Sequence, residues 1–137
     1  MKKIFSINFP VYYEDTDSSG FTYHTSYLKF AERARSQFVR QELKNISEMM
    51  LQNTFFFVVK DLSVKFIKPT FLNDELIVNT FFLKNSLSSI DLKQEILKSD
   101  KIICEIFVKL VWINGKSKRP CKISKNIIAR FNSFEVV

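Results

Sequence analysis

The chain predicts an α+β fold, with one long helix lying against an antiparallel sheet of about five strands. Three observations predict it. Apolar residues alternate with polar ones near the N-terminus, recur at spacings of three and four from Tyr23, and return to alternation from Phe55 onward. A single helical stripe among strands must find its cover on one face of the sheet they build.

Each element follows from its residues. Phe5, Ile7, Phe9 and Val11 alternate with Ser6, Asn8 and Pro10, which reads as a strand over 5–11, and Pro10 marks an edge or an end. Tyr23, Tyr27, Phe30, Ala31, Ala34 and Phe38 form one stripe, while Lys29, Glu32, Arg33, Arg40 and Gln41 take the other faces, so a helix is predicted over Tyr23–Lys44. From Phe55, Leu62, Val64 and Phe66 alternate with Asp61, Ser63 and Lys65 until Pro69 closes the strand. Glu75–Leu83, Ser89–Leu97 and Lys101–Ile113 read as three more strands. Ser99 and Asp100 link the last two, and Asn114 with Gly115 ends the series. Ser124 can cap a short final helix carrying Ile127, Ile128 and Phe131.

With 137 residues, 46% of them hydrophobic, the chain suits one domain spanning residues 1–137. Fifteen phenylalanines build a thick core and leave some rings for a subunit interface, so a homo-oligomer is expected. The net charge of +7 favours anionic partners without choosing among phosphates, acidic carrier proteins, nucleic acid and lipid head groups. No nucleic-acid motif is present, and the aromatics fall on core-like periods, so nucleic acid is not expected as a partner. Cys104 and Cys121 have no CxxC spacing and read as two reduced thiols of a cytoplasmic protein. Lys2 and Lys3 precede only a few apolar residues, broken by Ser6, Asn8 and Pro10, so neither a secretory leader nor a membrane span is predicted.

The chemistry concentrates in residues 12–35, where Glu14, Asp15 and Asp17, the first of two glycines, Gly20, and the only histidine, His24, precede the helix. Asp15, Asp17, Ser19 and Gly20 match the first half of a calcium loop, but the twelfth position is Ser26 instead of glutamate and no helix enters the loop. One histidine and two scattered cysteines give no zinc spacing, so neither metal nor cofactor is expected. Asp17 has two readings. It is a solvated turn residue favoured by the helix dipole, or it is the general base or nucleophile toward an ester-like carbonyl held by free N–H groups of the helix start, near Tyr23 and His24. A thioester suits the second reading, because a thiolate leaves with little need of protonation. His24 is either a local partner of a carboxylate or part of that site. Tyr12, Tyr13, Tyr23 and Tyr27 are core residues or functional ones, and Tyr13, bordering the acids, is the best functional candidate.

The residues Tyr13, Glu14, Asp15, Thr16, Asp17, Gly20, Tyr23, His24, Tyr27, Phe30, Glu32, Ala34 and Arg35 together resemble the signature of the hotdog-fold acyl-CoA thioesterases of the 4-hydroxybenzoyl-CoA thioesterase group, in its short YbgC type associated with the Tol-Pal envelope system. The resemblance runs on through residues 55–76 and the late strands to KSKRP. It implies a hotdog domain, two subunits pairing their sheets as a dimer or a dimer of dimers (a homotetramer), and an active site across the interface. By position it makes Asp17 the catalytic carboxylate, assisted by His24 and Tyr13, with the His24 N–H polarising the carbonyl. Ser18 and Ser19 before Gly20 depart from some relatives. For coenzyme A the resemblance points to the strand near Val58, Val59 and Lys60 and to Ser86, Ser88 and Ser89, with Lys118 and Arg119 as candidates for the phosphates. It further implies a cytoplasmic enzyme in peripheral contact with the inner membrane. The competing readings are a binding partner of acyl-CoA or acyl-carrier protein with incidental hydrolysis, and a hydratase or dehydratase of the same fold.

Overall fold

A computed structural model describes residues 1–133. The chain runs β1 (Lys2–Pro10), a one-turn 3-10 helix (Tyr13–Asp15), α1 (His24–Glu42), α2 (Lys44–Leu51), β2 (Phe55–Phe66), β3 (Glu75–Asn85), β4 (Ser89–Lys98), β5 (Lys101–Asn114) and α3 (Lys125–Ser133). All strand pairs are antiparallel and the five strands stand in the order β1-β3-β4-β5-β2. The meander β3-β4-β5 is the centre, and β1 and β2, separated in sequence by α1 and α2, close on its two sides.

Local chemistry explains the joints. Ser99 and Asp100 both take positive φ, 50° and 66°, the backbone that a two-residue hairpin between twisted strands requires. Gly115 sits where a Cβ would lie 1.6 Å from the Asn53 carbonyl oxygen, so only glycine lets the end of β5 pass the segment entering β2. β1 begins at Lys2, earlier than the alternation predicts. Lys2 and Lys3 still pair with Phe82 and Phe81, and a bulge between Lys3 and Phe5 resets the register, so backbone pairing continues where the side-chain pattern does not.

Alternate residues of the central strands face α1. Leu76 and Val78 of β3, Ile96 of β4, and Cys104 and Ile106 of β5 pack with Tyr27, Phe30, Ala31 and Ala34 in one buried cluster. The two alanines bring the helix axis close to the sheet. A second cluster gathers Phe38, Leu43, Ile46, Phe82, Leu92, Val108, Trp112 and Phe131, so α2 and α3 close the end of the core that α1 leaves open. The helix predicted over Tyr23–Lys44 is therefore two helices. Leu43, at φ −127° and ψ 57°, breaks the helical path, and the turn lets both Leu43 and Ile46 reach the core, which one straight helix would not allow.

A glutamine is fully buried between helix and sheet. Gln94 of β4 donates to the Ala31 carbonyl at 2.9 Å and to the Thr80 hydroxyl at 3.0 Å, and its Oε1 accepts from Nη1 of Arg35 at 2.9 Å. Every polar atom of its amide group is used, as burial demands. The contacts join α1 to β3 and β4 at one height. Among the described residues no helix is long and apolar enough to cross a membrane.

Candidate active site

The acidic turn is built around Asp15 instead of Asp17. Asp15 is buried, and its Oδ2 accepts from the Tyr12 N–H at 2.9 Å. Its carbonyl oxygen accepts both the Tyr23 N–H at 2.8 Å and the Ser26 hydroxyl at 3.0 Å. The chain therefore loops back on Asp15 just before α1 starts. Thr22 and Tyr27 fix the other side: their hydroxyls meet the fully buried Thr70 hydroxyl at 2.7 and 2.8 Å, while the Thr22 N–H donates to the Thr70 carbonyl. The Phe21 and Phe71 rings lie 4.9 Å apart between centres, their planes tilted by 38°. The segment before β3 is thus clamped to the turn, a role that nothing in the local pattern around Thr70 announces.

Asp17 projects from this clamped turn into solvent. Its Oδ1 accepts from the Ser19 N–H at 2.9 Å and, in a shorter contact, from the Ser19 hydroxyl. Gly20, at φ 86°, carries the reversal. Those bonds, the hydroxyl of Ser19 foremost, hold the Asp17 carboxyl below its ordinary value of 3.8, and its slight burial opposes them. At neutral pH Asp17 is an exposed carboxylate, anchored through Oδ1.

Tyr23 is the N-cap of α1 and His24 its first residue. Donors at a helix start have no intrahelical acceptor, and of the two N–H groups proposed from sequence, that of Tyr23 is already given to Asp15. Among the described residues the N–H groups of His24 and Thr25 remain without an acceptor at the helix start. Among the described residues the His24 ring contacts aromatics and no carboxylate, lying 4.4 Å from Tyr23 and 6.2 Å from Phe66 between ring centres. With Thr22, Tyr27, Ile67 and Pro69 it lines a shallow groove of about 260 Å³ between α1 and the end of β2. Tyr12, Tyr13 and Tyr23 are exposed, Tyr13 at 82%, and of the four tyrosines only Tyr27 is core.

The residues proposed for coenzyme A are brought together in part. Lys60, Ser86, Ser88 and Ser89, with Val58 and Lys109, line one groove of about 420 Å³ on the sheet face turned away from α1. Val59 departs from the group, because alternation along β2 turns it to the helix side, into a different cavity. The Lys118 ammonium lies 5.6 Å over the Phe56 ring, and Arg119 follows it in the turn after β5, whose carbonyl accepts from Asn114 N–H at 2.9 Å. The two halves of the candidate site stand apart. Val58 at the groove and Phe66 beside His24 are eight residues apart on β2, roughly 26 Å of extended strand.

The model of the thioesterase-like superfamily matches residues 11–131, and the chain belongs to that family; it is a thioesterase. Among curated relatives, the acyl-CoA thioester hydrolase YbgC of Escherichia coli O6:H1 is 32% identical over 122 residues, covering 88% of this chain and 90% of the relative. The acyl-CoA thioesterase YbgC of Haemophilus influenzae is 30% identical, covering 93% and 94%. Among solved structures, a probable thioesterase from Bartonella henselae is 27% identical with a TM-score of 0.79, covering 88% of this chain and 99% of that one. A 1,4-dihydroxy-2-naphthoyl-CoA thioesterase from Synechocystis, 18% identical, superposes with a TM-score of 0.85 over 94% of this chain and 96% of its own, and establishes the shared hotdog fold.

Proposed function

We propose that the protein hydrolyses the thioester of acyl-CoA to a free acid and coenzyme A, with Asp17 as general base or nucleophile and the His24 N–H as the donor to the carbonyl oxygen. The observation that carries this reading is the placement, at the two ends of one clamped turn, of an ionised exposed carboxylate and a helix start whose first N–H has no acceptor among the described residues. The naming of the Escherichia coli and Haemophilus influenzae relatives as acyl-CoA thioesterases supports it. In the general-base route, Asp17 takes a proton from water as the water oxygen attacks the carbonyl carbon, the C–S bond breaks, and the thiolate leaves to be protonated by solvent. In the nucleophilic route, a carboxylate oxygen of Asp17 attacks the carbonyl carbon, the C–S bond breaks with departure of the coenzyme A thiolate, and water then opens the resulting mixed anhydride to the free acid and the Asp17 carboxylate. Either way the carbonyl oxygen gains negative charge where the helix N–H points. Tyr13 and the His24 ring assist from the exposed rim.

Lys60, Ser86, Ser88 and Ser89, with Lys118 and Arg119, hold the coenzyme A arm and phosphates. Since that groove lies far along β2 from Asp17, the working site is shared between two copies whose β2 edges pair antiparallel, bringing the groove of one beside the turn of the other. The exposed Val59, Leu62 and Phe66 on that edge favour such a homodimer, and dimers of dimers build on it. The enzyme acts in the cytoplasm, where coenzyme A thioesters are made.

The test is thiol release from short-chain, long-chain and aromatic acyl-CoAs by the wild type and by Asp17→Asn. Turnover is expected to fall by about 10²–10⁴-fold in the variant. Equal turnover in both proteins would return Asp17 to a turn residue. A single turnover in ¹⁸O-water that leaves label in the Asp17 side chain establishes the anhydride, because the general-base route delivers the label to the product acid alone.

A further inference from the structure

β2 is an edge strand with no neighbour beyond it, and its residues are arranged about one point. Val58, Val59, Lys60, Asp61, Leu62 and Ser63 form an unbroken exposed run, and the bulge between Val59 and Asp61 lies at its centre. The bulge divides the faces of the strand symmetrically. Before it, Phe55, Phe57 and Val59 stand on the helix side; after it, Leu62, Val64 and Phe66 do so, opposite Val108, Ile106 and Cys104 of the core. The residues between them, with Lys60 and Asp61 both at the bulge, face away from the helix. Three large apolar residues of the helix side are nonetheless open to solvent, Val59 at 49%, Leu62 at 43% and Phe66 at 50%. At the centre, Lys60 and Asp61 form no ion pair among the described residues, and Lys109, opposite Asp61, pairs instead with Asp91 at 3.5 Å.

A second copy of this chain answers all of these features in one register. Antiparallel strands place opposite residues on a common face, at Cα separations of roughly 4.5–5.5 Å. With a two-fold axis at the bulge, Val59 lies opposite Leu62 of the second copy, Phe66 lies opposite its Phe55, and Lys60 of each copy lies opposite Asp61 of the other. Each exposed apolar residue gains an apolar partner and each charge its opposite. Moving the axis by half a residue sets helix-side residues against outward ones along the strand. Moving it by a whole residue does so at the axis, Val59 against Lys60 or Leu62 against Asp61. A strand without the bulge cannot place Lys60 opposite Asp61 at all, because sequence neighbours then point to opposite faces.

We propose that two copies pair β2 to β2 about the Lys60–Asp61 bulge, and that Phe55 of each copy completes the groove beside His24 of the other. The proposal fixes the register of the pairing put forward above and the residue that crosses it, and it rests on the thioesterase reading for the part that residue plays. Phe66 lies 6.2 Å from His24 and 6.0 Å from Tyr27 between ring centres, in the shallow groove at the start of α1. Phe55 is stacked on Trp112 of its own chain, 5.6 Å away with the planes 7° apart, and so presents a fixed wall. Set opposite Phe66, that wall turns the shallow groove into an aromatic slot, where a carbonyl group bound to the His24 N–H is shielded from water.

The experiment reads the register by cross-linking and sedimentation, and turnover separately. Cys104 is buried and Cys121 only half-buried, so the variants are made in a Cys121→Ser background. Val58→Cys with Ser63→Cys sets thiols opposite each other across the axis, and oxidation is expected to give a reducible covalent dimer. Val58→Cys with Asp61→Cys, or with Lys65→Cys, leaves them two residues out of step, at Cα separations of roughly 7–8 Å, beyond the reach of a disulfide. Lys60→Glu and Asp61→Lys are each expected to weaken the dimer about tenfold, and the two together, which exchange the charges, restore it. Phe55→Ala and Asp17→Asn, each impaired alone, are expected to regain turnover when mixed, because a mixed dimer carries one site with both residues intact. A mixture no more active than its parts overturns the role of Phe55. A wild type that sediments as a monomer, or a covalent dimer that forms as readily from an out-of-step pair, overturns the register whether or not Phe55→Ala folds. Thiol release by that same protein, lost in Asp17→Asn, would leave the thioesterase reading standing. The expected cross-link in a protein that cleaves no thioester would keep the pairing and sink the thioesterase reading.

Discussion

The two edges of the sheet are built differently. β1 is nine residues long, opens on Lys2 and Lys3, closes on Pro10, and points its apolar residues inward at Phe38 and Phe30. β2 is twelve residues long, has no proline, and leaves Val58, Val59, Leu62 and Phe66 more than a third exposed. A free edge is a template for further pairing, and lysine and proline blunt it. The blunted edge has only the core to serve, while the open edge borders every cavity and groove to which a functional role is given above. On the proposed function, exposure of apolar side chains on β2 serves the site, while on β1 the same chemistry is spent on packing the core.

Breaking the open edge gives the largest effect. Leu62→Lys places a charge at the middle of β2, and sedimentation is expected to show monomers, with thiol release lowered about 10²-fold as the two halves of the site lose their alignment. Ser6→Lys, an equal insult on exposed β1, leaves sedimentation and turnover as they are; matching losses in the two variants would erase the distinction between the edges. Next in size is the pin between helix and sheet. Gln94→Ala leaves the Arg35 guanidinium, the Thr80 hydroxyl and the Ala31 carbonyl short of a partner and is expected to cost about 2–4 kcal/mol, lowering Tm by about 10 °C in a thermal melt. The smallest effect is a pH shift. The Ser19 bonds favour the charged form of Asp17, so Ser19→Ala raises its pKa, and the acid limb of the kcat/KM profile moves to higher pH. An acid limb that stays in place would mean that another group controls it.

The strands, the amphipathic stripe of α1 and the turn at Ser99 and Asp100 were legible because each is governed by residues close in sequence. The break at Leu43 was not, since apolar spacing continues through it and only the shape of the core decides that Leu43 and Ile46 turn inward. In the site, Asp17 and His24 were legible as a charged turn ahead of a helix, and Lys60 with Ser86, Ser88 and Ser89 does form one groove. Val59 was assigned to that groove, but a residue's face on a strand follows from register, which the bulge between Val59 and Asp61 makes hard to read in advance. Asp15 was read only as one acid of the turn and Thr70 was passed over, because their parts are played through a backbone carbonyl and a contact 48 residues away from Thr22. The one sign was their polarity within segments that must pack.

The bond from the Tyr23 N–H to the Asp15 carbonyl withdraws one peptide donor from any carbonyl group approaching the start of α1 and leaves those of His24 and Thr25. Each such donor is worth about 3 kcal/mol to a developing oxyanion. On the proposed reading of Asp17 and His24, a site so furnished is expected to leave amides intact, since an amide nitrogen must be protonated before it leaves. It works where the leaving group departs as a stable anion on its own, and so discriminates among carbonyl compounds by the acidity of the departing group before shape is consulted.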